Sequence, residues 1–148
     1  MARRAPVNTD VAGLLDDLCV LIAEDEPLIG MSVEEAVRNF GGSTVRVEND
    51  RAAYAELEKR AGTLHVLILD VNLGEGTTGF DIARYARRLD PKLAIIYLSG
   101  GPEEWAAWFG VDGAAFLTKP VSESKLIGTI ARLTGRGADP DAPMQTPA

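Results

Sequence analysis

Short apolar runs in this sequence end on side chains that can do chemistry. The clearest is VLIL at 66–69, which leads directly into Asp70 and then into a polar, glycine-rich stretch. Aspartate is common where turns begin, but a carboxylate presented at the end of a strand can also bind a cation or act as a nucleophile. Asp70 alone does not decide between these two interpretations, whereas the ends of the other apolar runs do.

Three further apolar runs end on polar residues whose types complement Asp70. They are Glu24, Asp25 and Glu26 after 18–23, Ser99 at the end of 93–99, and Thr118, Lys119 and Pro120 at and after the end of 113–118. Turn preference could explain any one of these endings. It does not explain acids after two runs together with a hydroxyl after another and a lysine after the last, so the set predicts a functional site.

The apolar runs alternate with helical patterns, and this alternation predicts the fold. The predicted strands are 18–23, 43–47, 64–70, 93–99 and 113–118. The predicted helices are 27–40, 51–61, 80–89, a short one at 103–109, and 124–133. Five βα units require a parallel sheet with helices on both faces. Because ligands of such folds bind outside the carboxyl ends of the strands, the polar residues described above should converge on one crevice.

Composition and charge limit the possible functions. The chain has 148 residues, 46% of them hydrophobic and 25% charged, as expected for one compact domain. A formal net charge of −7 disfavours general nucleic-acid binding, and the single cysteine, Cys19, excludes an intrachain disulfide and a cysteine-based zinc site. Because no apolar stretch reaches the length of a membrane span and the N-terminus lacks the apolar core of a secretory signal, we expect no membrane contact and a cytoplasmic location.

The two ends of the chain differ in composition from the part between them. Residues 1–16 and 134–148 are rich in Pro, Ala, Gly and Asp and have no apolar period. We predict that both are flexible tails and that 17–133 forms a single domain.

The polar ends of the strands, taken together and in order, resemble the receiver domain of two-component response regulators over roughly residues 17–133. The residues that carry the resemblance are Glu24 and Asp25, Asp70, Ser99, and Lys119 with Pro120. The resemblance implies a doubly wound, five-stranded parallel sheet with strand order 2-1-3-4-5 and helices on both faces, a flavodoxin-like fold. It also implies that Asp70 accepts a phosphoryl group from a phosphohistidine on a sensor histidine kinase or a histidine phosphotransfer protein.

A magnesium site is part of what the resemblance implies. Asp25 and Asp70 would bind Mg²⁺ directly, Glu24 through a water, and Asn72 through its backbone carbonyl, which suits the preference of this ion for hard oxygen ligands. Without Mg²⁺ the three nearby acids repel one another, so the pKa of at least one of them should be raised.

The resemblance also implies roles for the residues of the last two strands. Ser99 would hydrogen-bond the phosphoryl group and report its presence. Lys119 would neutralise the charge of that group, and a cis peptide bond between Lys119 and Pro120 would aim the lysine inward. Phe116 occupies the aromatic switch position of the family, and because phenylalanine has no hydroxyl, its switching must be steric.

Four other residues receive structural interpretations. Glu26 is interpreted as a helix N-terminal charge and His65 as a boundary residue without a role. Trp105 and Trp108 share a helical face and are interpreted as core packing, with a partner surface as the second interpretation. The 20-residue interval from Ser99 to Lys119 is about two residues shorter than the family pattern, and the loop after Asp70 is about one residue longer. These departures concern the output surface more than the site.

The preferred interpretation is a stand-alone receiver that acts by binding a downstream protein or by relaying phosphate, as a monomer or weak homodimer. It would be no enzyme beyond its own phosphorylation and dephosphorylation. A phosphorylation-independent adaptor is one alternative, although the intact set of site residues speaks against it. A Mg²⁺-dependent aspartyl phosphohydrolase is another, but such enzymes usually carry a second Asp two residues after the nucleophile, where this chain has Asn72.

Overall fold

The computed structural model describes residues 12–72, 78–101 and 110–136. Its strands are β1 (Cys19–Ala23), β2 (Ser43–Val47), β3 (Val66–Asp70), β4 (Ala94–Ser99) and β5 (Ala115–Thr118). Its helices are α1 (Pro27–Asn39), α2 (Asp50–Lys59), α3 (Gly79–Leu89) and α4 (Glu123–Leu133). The helix predicted at 103–109, with Trp105 and Trp108, lies outside the described residues, as does most of the two predicted tails.

The five strands form one parallel sheet in the order β2-β1-β3-β4-β5. The predicted fold class and strand order are therefore confirmed. Every residue of β3 is buried, because a central strand of a doubly wound sheet is covered on both faces. Since the strands are parallel and in register, the carboxyl ends of β1, β3, β4 and β5 lie at one edge of the sheet.

Alternate side chains of β1, β3, β4 and β5 enter two separate cores. In β3, Leu67 and Leu69 pack with α2 and α3 on one face, and Val66 and Ile68 pack with α1 and α4 on the other. Full burial of each such side chain contributes about 1.5–3 kcal/mol relative to exposure. The strand ends are thereby held in fixed positions, which is what a site at the sheet edge requires.

The helices begin at residues typical of helix starts, and in three of the four described helices a capping side chain accepts an N–H of the first turn. Pro27 opens α1, and Asn49 and Ser122 cap α2 and α4 with their side chains. A capping box between Thr78 and Asp81 begins α3. None of the described helices is long and apolar enough to cross a membrane.

Part of the predicted N-terminal tail packs against the domain. Leu15 is fully buried, and its N–H donates to the Phe40 carbonyl oxygen at 2.8 Å. The guanidinium of Arg136, at the other end of the described chain, donates to the Asp16 carbonyl oxygen. Residues 12–16 therefore pack on the domain, because Leu15 supplies apolar surface. The composition of residues 1–16 as a whole hides this single apolar contribution.

Candidate functional site

The carboxyl ends of four strands border one open groove at the sheet edge. The groove has a volume of about 540 Å³, and its lining includes Asp25, Glu26, Asp70, Asn72, Ser99, Gly101 and Lys119. The carboxyl of Glu24 lies beneath it, fully buried. The structure therefore brings together the acids, the serine and the lysine that the sequence predicts to converge. Phe116 lies outside the groove, on the face of the sheet covered by α2 and α3.

Three carboxylates meet at this groove. One oxygen each from Glu24, Asp25 and Asp70 lie within 4.8 Å of one another. Mg²⁺ holds its ligands at about 2.0–2.1 Å, so opposite ligands of an octahedron are about 4.2 Å apart. The separations of the three oxygens, all within 4.8 Å, are close to this greatest ligand spacing, and the exposed Asp25 side chain has room to adjust. The donor set of hard, anionic oxygens fits a divalent cation of this size.

The backbone around Asp70 fixes its carboxylate. Asp70 ends β3 and is 5% exposed, and its Oδ1 atom accepts a hydrogen bond from the Asn72 N–H at 3.0 Å. The start of α3 presses against the same strand end: a Cβ atom at Gly79 would lie 2.3 Å from the Asp70 carbonyl oxygen. Only glycine allows this approach. The other carboxylate oxygen, Oδ2, is left to face the groove.

Lys119 reaches into the acidic cluster from the end of β5. Its Nζ atom lies 3.0 Å from Glu24 Oε1, 3.2 Å from Asp70 Oδ2 and 3.7 Å from Glu26 Oε1. Its backbone N–H donates to the Ser99 carbonyl oxygen at 2.8 Å, and the peptide bond to Pro120 is cis. Burial opposes the lysine charge, but Glu24 and Asp70 outweigh it, so the pKa of Lys119 is raised. The ammonium is therefore a permanent counter-charge for these acids.

Burial strongly perturbs the pKa of Glu24. Burial, and secondarily the Asp70 charge, raise its pKa from 4.5 to about 7, although the Glu26 N–H and Lys119 act in the opposite direction. Its Oε2 atom accepts the Glu26 N–H at 3.1 Å. Its Oε1 atom has no hydrogen-bond donor in good geometry among the described residues, which leaves the Lys119 ion pair. The expected rise in pKa falls on Glu24, and burial contributes more to it than the expected repulsion.

Ser99 and Phe116 occupy one face of the last two strands. Ser99 is 2% exposed, and its Oγ atom accepts the Gly101 N–H at 2.9 Å, which ties it to the chain that leaves β4. Phe116 is half-buried and pairs across the ladder with Tyr97, at 6.3 Å between ring centroids. Ser99 thus faces the groove, and Phe116 packs behind it.

Two residues have contacts that sequence reasoning missed. Glu26, interpreted only as a helix charge, orients Glu24 through its N–H and approaches Lys119 through its carboxylate. The sequence feature that could have indicated these contacts is the position of Glu26 directly after Asp25. His65, given no role, accepts the Cys19 N–H at its Nδ1 atom at 2.9 Å and so completes the start of β1. No sequence pattern predicts this side-chain contact, because it joins positions far apart in the chain.

This fold, with an acidic groove at the carboxyl edge and a lysine directed into it, defines the chain as a receiver-type α/β domain. The family model of the response regulator receiver domain matches residues 20–131. The chain belongs to this family, as its strand-end residues predict. Receiver domains are regulatory phosphoacceptor domains of two-component signalling rather than conventional enzymes.

Individual relatives agree with this assignment. Phyllosphere-induced regulator PhyR of Methylorubrum extorquens is 23% identical over 113 residues, which cover 76% of this chain and 42% of that protein. Transcriptional regulatory protein TcrA of Mycobacterium tuberculosis is 28% identical over 133 residues, 88% of this chain and 51% of TcrA. The crystal structure of a response regulator receiver protein from Sinorhizobium medicae matches with a TM-score of 0.76 and 26% identity, over 82% of this chain and 97% of that one. The chain spans about half the length of these curated relatives.

Proposed function

We propose that this domain is a phosphorylation-controlled response regulator of a two-component or phosphorelay system. Asp70 accepts a phosphoryl group from a phosphohistidine, with Mg²⁺ bound at the acidic groove. The observation that carries the proposal is the environment of Asp70, whose Oδ2 atom lies 3.2 Å from the Lys119 ammonium. The same carboxylate belongs to the cluster with Glu24 and Asp25.

The chemistry follows from the residue types. An Asp70 carboxylate oxygen attacks phosphorus, so that an O–P bond forms while the N–P bond of the phosphohistidine breaks and the imidazole keeps the electron pair. Lys119 and the Ser99 hydroxyl donate to the phosphoryl oxygens as charge collects there. Bound Mg²⁺ supplies charge neutralisation and holds the oxygens in place. The groups that would bind it are Asp25, Asp70, the Asn72 carbonyl and, through water, Glu24.

A small phosphodonor tests this proposal without knowledge of the kinase. Incubation with acetyl phosphate and Mg²⁺ should add a single phosphoryl group, measured by intact-protein mass spectrometry. The product should be labile to hydroxylamine, as acyl phosphates are. A protein that stays unmodified under these conditions and also fails to bind beryllofluoride contradicts the proposal.

Mg²⁺ affinity should depend on Asp25. The exposed Asp25 contributes one of the three clustered oxygens, so Asp25→Ala should weaken Mg²⁺ binding roughly tenfold or more in isothermal titration calorimetry. The metal-free variant should be at least as stable as wild type, since one of three like charges is gone.

Asp112→Ala is the matched control for this experiment, because Asp112 is an exposed aspartate outside the groove. It should bind Mg²⁺ as wild type does. Equal Mg²⁺ affinity in Asp25→Ala and wild type would refute the assignment of Asp25 as a ligand.

The phosphodonor protein must cover the rim of the groove, and an apolar surface lies there. Leu28 is 81% exposed and Met31 is 53% exposed, and both lie in the first half of α1, just after Glu26. They are one turn apart, so they share one face of the helix. We propose that the histidine kinase or phosphotransfer protein docks on Leu28 and Met31.

A variant with Leu28→Ser and Met31→Ser should separate docking from chemistry. Phosphoryl transfer from a purified histidine kinase that phosphorylates the wild-type chain should slow roughly tenfold or more, because buried apolar anchors dominate interface energies. Phosphorylation by acetyl phosphate should be unchanged. Leu89→Ser is the control, since Leu89 is also exposed but ends α3 at the opposite edge of the sheet. Equal kinase transfer to the double variant and to the control would exclude this docking surface.

The remaining expectations extend the same proposal. Output would pass to a downstream protein rather than directly to nucleic acid, in keeping with the formal net charge of −7. We propose a monomer or weak homodimer in the cytoplasm, with 17–133 as the receiver unit and residues 12–16 packed on it.

A further inference from the structure

Tyr97 is a core side chain whose one polar atom holds the connection between β4 and β5. It is fully buried, and its ring packs against Phe80 with 4.9 Å between centroids. Its hydroxyl oxygen accepts the Val111 N–H at 3.0 Å. Burial raises the pKa of Tyr97, so the hydroxyl stays protonated and uncharged. Tyr97 therefore fastens residue 111 to the interior of the domain.

A second side chain fastens the next residue of the same connection. Arg87, on α3, donates from Nη1 to the Asp112 carbonyl oxygen at 2.6 Å and from Nη2 to the Leu93 carbonyl oxygen at 3.3 Å. Two consecutive residues, Val111 and Asp112, are thus held by side chains of β4 and α3. These two contacts fix the position of the backbone just before β5.

Phe116 rests on the same tyrosine. The two residues are direct partners in the β4–β5 ladder, with 6.3 Å between ring centroids and 48° between ring planes. Val111 and Ala114 pack against the same core cluster. Phe116 carries no hydroxyl, so any displacement of its ring is transmitted by contact alone. The Tyr97 ring contacts the Phe116 ring, so a displacement of Phe116 can move Tyr97. The hydrogen bond at the Tyr97 hydroxyl then connects that movement to Val111.

We propose that Tyr97 is a positioning residue that couples Phe116 to the β4–β5 connection. Its hydroxyl holds residues 110–114 in the resting arrangement, and displacement of Phe116 against its ring releases the Val111 hydrogen bond. The inference rests on the proposed function, because the displacement begins when Ser99 shifts toward a phosphoryl group on Asp70. Ser99 lies two residues after Tyr97, on the same face of β4.

The change in equilibrium expected from one hydrogen bond is of a size suited to a conformational switch. One hydrogen bond shifts an equilibrium by roughly threefold to tenfold. That is enough to change the populations of two arrangements of similar free energy, and too little to unfold the domain.

Tyr97→Phe tests the resting part of the proposal, because it removes the hydroxyl and keeps the ring. Exchange of the Val111 amide, followed by NMR without any phosphoryl mimic, should become roughly threefold to tenfold faster. Tyr85→Phe is the matched control: it also removes a hydroxyl, one that bonds Glu58 on the surface between α2 and α3. Unchanged Val111 exchange in Tyr97→Phe would overturn the proposal.

Beryllofluoride with Mg²⁺ tests the coupling. In wild type it should shift the amide signals of 110–116 as well as those of Asp70 and Lys119. The signals of 112–116 in fluoride-free Tyr97→Phe should lie part of the way along that same shift, which a purely structural role for the hydroxyl would not produce. Shifts confined to the groove, or a Tyr97→Phe spectrum displaced in unrelated directions, would overturn the coupling. A wild-type protein in which no amide responds contradicts the proposed function instead, and Val111 exchange still decides the resting contact.

Discussion

Asp70→Asn should abolish phosphoryl incorporation from acetyl phosphate and from any cognate kinase. An amide oxygen lacks the charge and the nucleophilicity of a carboxylate, so the O–P bond does not form. The variant should fold, because asparagine has nearly the same shape and its substitution removes one charge from a cluster of acids. Intact-protein mass spectrometry should show no added phosphoryl group, and hydrogen-exchange protection of β3 should stay close to wild type.

The matched control for this variant is Asp112→Asn, which makes the same chemical change at an exposed position outside the groove. It should be phosphorylated at the wild-type level. Labelling of Asp70→Asn to that level would show that another residue accepts the phosphoryl group.

The fold was predictable because hydrophobic patterning reports burial directly. The run at 66–69 could be recognised as a central strand since every residue of β3 is in fact buried. The same property explains the errors at the strand starts. Leu64 and Leu93 were predicted to lie in strands, yet both precede the strands and are nevertheless buried, at 6% and 4% exposed. A run of apolar residues indicates that its positions are buried, but not that the backbone at each position joins a ladder.

The convergence of the site was predictable for a different reason. In a parallel sheet all carboxyl ends lie at one edge, so Asp70 and Lys119, which both stand at the ends of apolar runs, could be placed together although they are distant in sequence. Contacts made by side chains across the fold have no such rule. The Tyr97 hydroxyl bonds an N–H 14 residues away, and the direction of that bond depends on how the connection returns to β5. Such contacts emerge only from packing.

Lys119→Met should produce two opposite effects, tighter Mg²⁺ binding and slower phosphoryl transfer. The lysine ammonium lies 3.0 Å from Glu24 Oε1 and 3.2 Å from Asp70 Oδ2, so it competes with a divalent cation for the same oxygens. Removing a unit charge that close to the site should raise Mg²⁺ affinity roughly tenfold or more. Methionine keeps most of the apolar length of the side chain, so packing at the end of β5 is largely preserved.

Transfer should slow because, in the proposed function, the same ammonium is one of the two donors to the phosphoryl oxygens. Loss of one such donor from a preorganised site costs roughly 10²–10³-fold in rate. Tighter binding of the metal would not compensate, because the methionine side chain has no group that can donate to the phosphoryl oxygens in place of the ammonium. Rates of acetyl phosphate labelling at saturating Mg²⁺ separate this loss from the change in affinity.

The gain in Mg²⁺ affinity of Lys119→Met should depend on pH. The pKa of Glu24 is about 7 even though Lys119 lowers it, so removal of the lysine raises that pKa further. In either protein, at a pH below the pKa of Glu24, its carboxyl group is protonated and neutral. Protons then compete with Mg²⁺ for the Glu24 carboxylate. Calorimetry should therefore show the larger gain at about pH 8 and a smaller one at about pH 6. Lys92→Met, which removes an exposed lysine at the opposite edge of the sheet, should show neither effect. Mg²⁺ binding by Lys119→Met that is no tighter than in Lys92→Met at about pH 8 would mean that the ammonium does not compete with the cation.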